Sequence, residues 1–175
     1  MDGAWLWLMH SWQHPLLTEA MSAITWLGSL AVLLPLAIGL GWRSRGDWHQ
    51  RAFLPLAVLG AAGLAQVLKW LVDRERPDLF PALAAMPADA SFPSAHAMQV
   101  TAFVTAWLLW RERTHRAAPL AIGMALVGAV AVSRTYLQVH FLSDILAGIV
   151  LGLTWSSLLH RLPFWRWSGR CGTNS

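Results

Sequence analysis

Five long apolar segments dominate this sequence, and each is close to the roughly 17–25 residues that a helix needs to cross a lipid bilayer. They lie at about Leu17–Trp42, Ala52–Val72, Ala97–Trp110, Ala117–Val132 and Phe141–His160. The third is short, but it lengthens if residues 94–96 form its first turn. The sequence therefore predicts an all-α membrane helix bundle.

The composition agrees with a membrane fold. Hydrophobic residues make up 56% of the chain and charged residues only 13%, which is too apolar for an ordinary soluble domain. Residues 3–13 are rich in tryptophan and contain no Lys or Arg, so we expect residues 1–16 to form an interfacial helix or part of an extra span. The prediction is thus five to six spans, with residues 17–162 as the membrane domain and residues 163–175 as a cytoplasmic tail.

The thirteen cationic residues predict the orientation of the bundle. Nine of them fall in the first loop, the third loop and the tail, which lie on one side when five spans are threaded: Arg43, Arg45, Arg51, Arg111, Arg113, Arg116, Arg161, Arg166 and Arg170. The positive-inside rule makes that side cytoplasmic, as expected for a bacterial inner-membrane protein with a cytoplasmic C-terminus. The cations form short clusters between apolar runs, so nucleic acid is not an expected partner despite the net charge of +4.

The four remaining cations, Lys69, Arg74, Arg76 and Arg134, are predicted to face the outside, where topology gives no reason for them. Lys69 and Arg76 flank the end of the second span and could clamp an anion, although a snorkelling lysine beside a basic loop end is the alternative. The sequence Pro93-Ser94-Ala95-His96 opens the third span. It could simply cap a helix, or it could offer free N–H groups to an anion.

Arg134, His140 and Asp144 stand where the last span begins. His140 and Asp144 are four residues apart, so on a helix they would share one face and the carboxylate could reach the imidazole. The alternative is an arginine anchor with a capping acid. Two histidines, three cations, a serine and a carboxylate fit metal-free phosphoryl transfer, and no grouping of Cys, His, Asp or Glu suits a metal. Neither a metal nor another cofactor is expected.

Taken together, Lys69-x6-Arg76-Pro77, Pro93-Ser94-Ala95-His96 and Ser133-Arg134-x5-His140-x3-Asp144 resemble the three-part signature of the phosphatidic acid phosphatase type 2 superfamily. The resemblance covers roughly residues 17–160 and implies a helical membrane bundle with a phosphohistidine mechanism. It departs from the family pattern at Ala95, where a glycine is usual, and in the uncertain sixth span.

The resemblance also implies a role for each residue of the signature. By position, His140 would be the nucleophile, Asp144 its orienting partner, and His96 the acid for the leaving group and then the base for water. The phosphate would be held by Lys69, Arg76, Ser94 and Arg134, with backbone N–H groups near Ala95 and His96.

The predicted function is hydrolysis of a lipid phosphate or diphosphate at the outer membrane face. Undecaprenyl diphosphate is favoured because the loop between Arg76 and Pro93 is short and apolar. Phosphatidylglycerophosphate, or another phospholipid monoester, is close behind, and lipid A is less favoured. The alternatives are a lipid phosphotransferase, a small membrane transporter and, disfavoured by the spans, a soluble vanadate-dependent haloperoxidase. Besides lipids, no obligate protein partner is evident.

Overall fold

The described part of the computed structural model comprises residues 1–44, 48–110 and 117–162, and it is helical with no strand. It contains seven helices: α1 (Asp2–Ser11), α2 (Pro15–Trp26), α3 (Leu30–Arg43), α4 (Trp48–Val72), α5 (Ala95–Trp110), α6 (Ala117–Tyr136) and α7 (Leu142–Arg161). The all-α prediction is confirmed for this part of the chain. Six of the nine arginines that predict the orientation lie outside the described residues, and so does the predicted tail at 163–175. These six are Arg45, Arg111, Arg113, Arg116, Arg166 and Arg170.

Three helices, α4, α6 and α7, are long and apolar enough to cross a membrane. The pair α2 and α3 would supply a fourth span if it acts as one, with a bend of 46° between them. The first predicted span is therefore not one continuous helix. Its break contains Gly28, a poor helix former, and Ser29, whose hydroxyl caps α3 by accepting a hydrogen bond from the N–H of Val32 (3.3 Å).

The N-terminal segment forms α1, which packs against α6 and α7. Leu6 and Met9 are buried in these contacts, whereas Trp7 and Trp12 are exposed. Pro15 then begins α2 at a position where its missing N–H costs no helical hydrogen bond. One face of α1 is thus apolar and exposed.

Helix α5 lies at the centre of the bundle, with α3, α4, α6 and α7 around it. Its contact with α7 is close because α7 presents glycines there. A Cβ added to Gly148 would lie 2.7 Å from the carbonyl oxygen of Ser94, and one added to Gly152 would lie 2.4 Å from that of Met98. Small residues of this kind let helix backbones touch in lipid.

This packing brings the beginnings of α5 and α7 side by side, and the N–H of Ser94 donates to the carbonyl of Asp144 (3.1 Å). Two loops cover that end of the bundle. The α4–α5 loop (residues 73–94) contacts the α6–α7 loop (residues 137–141) through a hydrogen bond from the N–H of Leu83 to the carbonyl of Leu137 (3.1 Å). Residues far apart in sequence therefore meet at one end of α4, α5, α6 and α7.

Candidate active site

A cavity of about 530 Å³ lies at this end of the bundle. Six of the eight predicted site residues line it: Lys69, Arg76, Ala95, His96, Arg134 and His140. Ser94 precedes Ala95 in the chain, and Asp144 contacts His140 from behind the cavity wall. The structure thus brings the three separate sequence motifs together around one space.

His140 and Asp144 are in contact, but not by the predicted geometry. His140 lies in the α6–α7 loop, before α7 begins at Leu142, so the two residues do not share a helical face and that expectation was wrong. The contact forms because Asp144, in the first turn of α7, turns back towards the loop. Its Oδ2 lies 3.6 Å from His140 Nδ1 and accepts a hydrogen bond from the N–H of Phe141 (3.0 Å). Asp144 therefore caps the helix and contacts the imidazole at once.

The His140 ring is almost fully buried. Burial lowers its pKa to about 4, against the hydrogen bond to Asp144, which raises it. The positive charges of Arg134 and Arg76 contribute to the same lowering. His140 is consequently neutral near pH 7, which is the form with a free lone pair for nucleophilic attack.

Two further residues hold Asp144, and the sequence motifs did not include either. Arg74 Nη1 donates to Asp144 Oδ1 (2.6 Å), and Ser91 Oγ donates to Asp144 Oδ2. Asp144 is fully buried, so this charge is balanced within the protein. For Arg74 the sequence did carry a signal, since it was one of the four cations that topology left unexplained.

Lys69 and Arg76 converge on one carboxylate from the α4–α5 loop. Asp89 Oδ2 lies 3.3 Å from Lys69 Nζ, and Asp89 Oδ1 accepts from Arg76 Nη2 (2.6 Å). Lys69 also donates to the carbonyl of Ala90. Both cations are nearly buried, with 4% and 9% of their side chains exposed, whereas Asp89 is 38% exposed. The pair thus already binds an anion, supplied by the protein itself.

Partial burial raises the pKa of Asp89, but the hydrogen bond from Arg76 and the charge of Lys69 outweigh it and leave that pKa below its usual value. Asp89 is therefore ionised at neutral pH. Asp89 was not predicted to be part of the site, because the surrounding loop was expected to be apolar.

Two of the remaining predicted residues, Arg134 and Ser94, have unused hydrogen-bonding groups. Arg134 Nη1 donates to Thr25 Oγ1 (2.9 Å), while Arg134 Nε and the hydroxyl of Ser94 are buried without a hydrogen-bond partner among the described residues. Ala95 is the first residue of α5, and its φ is not positive. The methyl group in place of the family's glycine therefore brings no backbone strain.

The first turn of α5 also contributes backbone donors, because the N–H groups at a helix start have no intrahelical acceptor. Lys69, Arg76 and Arg134 line the same cavity as His96 and His140, and Ser94 directly precedes the first turn of α5. This arrangement suits a tetrahedral oxyanion such as phosphate.

Comparison with known proteins identifies the family. The PAP2 superfamily profile matches residues 51–168, and this chain belongs to that superfamily. It is 35% identical over 151 residues to phosphatidylglycerophosphatase B of Bacillus subtilis (strain 168), covering 81% of this chain and 72% of the relative. It is also 35% identical over 83 residues to the putative undecaprenyl-diphosphatase YbjG of Escherichia coli (strain K12), covering 43% and 40%. Apart from the Bacillus protein, the chain spans about half or less of the length of the curated relatives it matches.

Solved structures agree with this family. The crystal structure of the transmembrane PAP2 type phosphatidylglycerolphosphate phosphatase from Bacillus subtilis superposes with a TM-score of 0.80 at 30% identity, covering 90% of this chain and 82% of that one. Aquifex aeolicus LpxE shares the fold, with a TM-score of 0.76 at 23% identity over 90% and 93% of the two chains. The protein is thus a membrane phosphatase of the PAP2 superfamily, and the relatives reported above are bacterial.

Proposed function

We propose that this chain hydrolyses a lipid phosphate or diphosphate through a phosphohistidine formed on His140. One observation carries the proposal: the two ring nitrogens of His140 have different surroundings. Nδ1 lies 3.6 Å from Asp144 Oδ2 and 3.4 Å from the Ser91 hydroxyl, whereas Nε2 lies 3.4 Å from Arg76 Nη1 at the cationic cavity. A histidine whose Nδ1–H is held by a carboxylate presents a lone pair on Nε2.

In the first step, Nε2 of neutral His140 attacks the terminal phosphorus, and the bond from that phosphorus to its leaving oxygen breaks. The leaving oxygen is the ester oxygen of a lipid monophosphate or the bridging oxygen of a lipid diphosphate. Asp144 stabilises the positive charge that develops on the ring. Lys69, Arg76 and Arg134 neutralise the equatorial oxygens, and His96 donates a proton to the leaving lipid oxygen. In the second step, His96 takes a proton from water, water attacks phosphorus, and the P–N bond breaks to release phosphate and neutral His140.

The walls of the cavity support a lipid substrate. Besides the charged groups, it is lined by Leu30 of α3 and by Leu59, Ala62 and Gly63 of α4. Leu59 is 43% exposed on the surface of the bundle. An acyl or prenyl chain lying along α4 could therefore enter from the side while its phosphate reaches the cations.

The charges of the cavity support a mechanism without a metal. Three cations approach the proposed phosphate position, and they would repel a divalent ion while neutralising the phosphate themselves. Among the described residues there is no group of three or more His, Cys, Asp and Glu that could hold a metal ion. We therefore assign to Lys69, Arg76 and Arg134 the charge neutralisation that a metal ion would provide in a metal-dependent phosphatase.

We place the site at the outer face of the bacterial inner membrane, in a bundle of five to six spans with a cytoplasmic C-terminus. The support comes from α4, which has Arg51 near its beginning and Lys69 near its end. At 1.5 Å per residue these residues are separated by roughly 27 Å, close to the thickness of the hydrocarbon core. The end with Arg43 and Arg51 suits the cytoplasmic side, and the end with the cavity suits the opposite side.

Undecaprenyl diphosphate is the first substrate candidate, and phosphatidylglycerophosphate is the second. The α4–α5 loop, which closes over the cations through Asp89, supports the first because it leaves little room for a large headgroup. The second is favoured by the similarity to phosphatidylglycerophosphatase B across most of both chains.

The experiment that decides between them is phosphate release by the purified protein from both lipids in one detergent, compared as kcat/KM. A higher value for undecaprenyl diphosphate is expected, and a higher value for phosphatidylglycerophosphate reverses the order. Labelled phosphate recovered in a second lipid would identify a phosphotransferase. A transporter would leave both lipids intact.

A further inference from the structure

Arg74 lies just beyond α4, and its guanidinium joins the beginning of α7 to the N-terminal helix. Nη1 donates to Asp144 Oδ1 (2.6 Å) and to Ser143 Oγ (2.7 Å), and Nη2 donates to Asp2 Oδ2 (3.1 Å). The guanidinium also lies over the Phe141 ring, 4.2 Å from its centroid. Arg74 does not line the substrate cavity, so its contacts serve the groups behind His140.

Asp2 completes this arrangement from α1. Its Oδ1 accepts from the N–H of Ser143 (3.0 Å), and its Oδ2 accepts from the Ser143 hydroxyl (2.6 Å). Partial burial raises the pKa of Asp2, but the hydrogen bonds from Ser143 and Arg74 outweigh it, and that pKa lies below its usual value. An ionised carboxylate of α1 is thus fixed to the first turn of α7.

The two oxygens of Asp144 are divided between different partners. Oδ1 receives Arg74, whereas Oδ2 faces His140 Nδ1 and also receives Ser91 and the N–H of Phe141. A fully buried carboxylate without a cation would share or take up a proton. The Arg74 charge opposes this, and its directed hydrogen bond fixes the rotation of the carboxylate.

We propose that Arg74 is a positioning residue for the reaction and that Asp2 of α1 positions Arg74 in turn. Arg74 keeps Asp144 ionised with Oδ2 towards His140, so that the Nδ1 proton stays on the ring and Nε2 is aimed at phosphorus. Asp2 receives the opposite side of the guanidinium and thereby couples the tryptophan-rich helix α1 to the catalytic pair. This inference rests on the proposed phosphohistidine mechanism.

The test compares Arg74→Gln, Arg74→Lys and Asp2→Asn with the neighbouring control Glu75→Gln, which removes an exposed charge outside the network. For each purified protein, kcat and KM are measured on one lipid phosphate, together with the initial rate of phosphoenzyme formation. Arg74→Gln should lower kcat by about 10- to 100-fold, as for one lost charge-assisted hydrogen bond, and should leave KM within about threefold because Arg74 does not touch substrate.

The conservative and double variants separate positioning from folding. Arg74→Lys should recover part of kcat, because an ammonium can still meet Asp144 but cannot also meet Asp2. Asp2→Asn should lower kcat by a smaller factor and should add nothing in the Arg74→Gln background, since Asp2 acts through Arg74. If Arg74→Gln does not fold, Asp2→Asn and Arg74→Lys decide the question.

Unchanged kcat in the folded variants would overturn the proposal, as would a raised KM with normal kcat. A wild-type enzyme that turns over substrate without phosphoenzyme on a histidine would instead contradict the proposed function.

Discussion

Replacing Asp89 by Asn should make the enzyme bind phosphate more tightly. In the structure, the Asp89 carboxylate forms salt bridges to Lys69 (3.3 Å) and Arg76 (2.6 Å). In the proposed mechanism these same two cations receive the substrate phosphate. Asp89 is therefore a resident anion that competes with the substrate, and its removal frees both cations.

The size of the effect follows from the distances and the exposure. Two unit charges about 4 Å apart attract by roughly 1 kcal/mol in water and roughly 4 kcal/mol at an effective dielectric constant of 20. Asp89 is 38% exposed, so solvent screening favours the lower figure, about 1 kcal/mol for each of its two pairs. Asparagine retains a weaker hydrogen bond, leaving a gain of about 1–2 kcal/mol, or about 5- to 30-fold in affinity.

The assay is the inhibition constant of inorganic phosphate, the reaction product, at constant ionic strength and pH 7. Because the pKa of Asp89 lies below its usual value, Asp89 is ionised at this pH and the full effect is present. Asp78→Asn is the matched control, since it removes an equal charge from an exposed position in the same loop. The inhibition constant should fall for Asp89→Asn and stay near the wild-type value for Asp78→Asn.

A higher inhibition constant for Asp89→Asn would refute the reasoning. It would mean that Asp89 holds Lys69 and Arg76 in the geometry that phosphate needs, and does not compete with phosphate. An equal fall in both variants would show a general effect of the loop's net charge, in which the direct contacts of Asp89 play no special part.

Three further outcomes are expected. His96→Ala should lower kcat by about 10²- to 10⁴-fold on a lipid leaving group, and a nitrophenyl phosphate, whose leaving group needs no proton, should restore the rate of phosphoenzyme formation measured by rapid quench. Ser94→Ala should raise KM and the phosphate inhibition constant by about 3- to 10-fold, since the buried hydroxyl has no hydrogen-bond partner among the described residues and is assigned to the phosphate. Activity of dialysed enzyme should persist in EDTA, and loss of activity with rescue by a divalent ion would contradict the metal-free mechanism.

The positions of the motifs along the helices could be predicted from the sequence because they depend on local signals. The apolar run ends at Val72, which places Lys69 inside α4 and Arg76 beyond it. Pro93 and Ser94 precede an apolar run, which places His96 in the first turn of α5. Length, charge and the residues at helix ends were sufficient for this much of the fold.

The contacts around His140 and Asp144 could not be predicted in the same way, because they join residues that are distant in the chain. Arg74 meets Asp144 across 70 positions, and Asp2 meets Ser143 across 141. No local pattern marks such pairs. The prediction that His140 and Asp144 share a helical face was wrong for a related reason, since their spacing alone does not show that α7 begins after His140.

The most direct test of the mechanism is the chemical identity of the phosphoenzyme. Wild-type protein is mixed with a lipid labelled in its terminal phosphate, quenched in alkali within one turnover, and digested for mass spectrometry. The mechanism predicts an alkali-stable, acid-labile phosphate on His140 and its absence from His140→Ala, which should also lose phosphate release. Phosphate on another residue, or near-normal activity in His140→Ala, would contradict it.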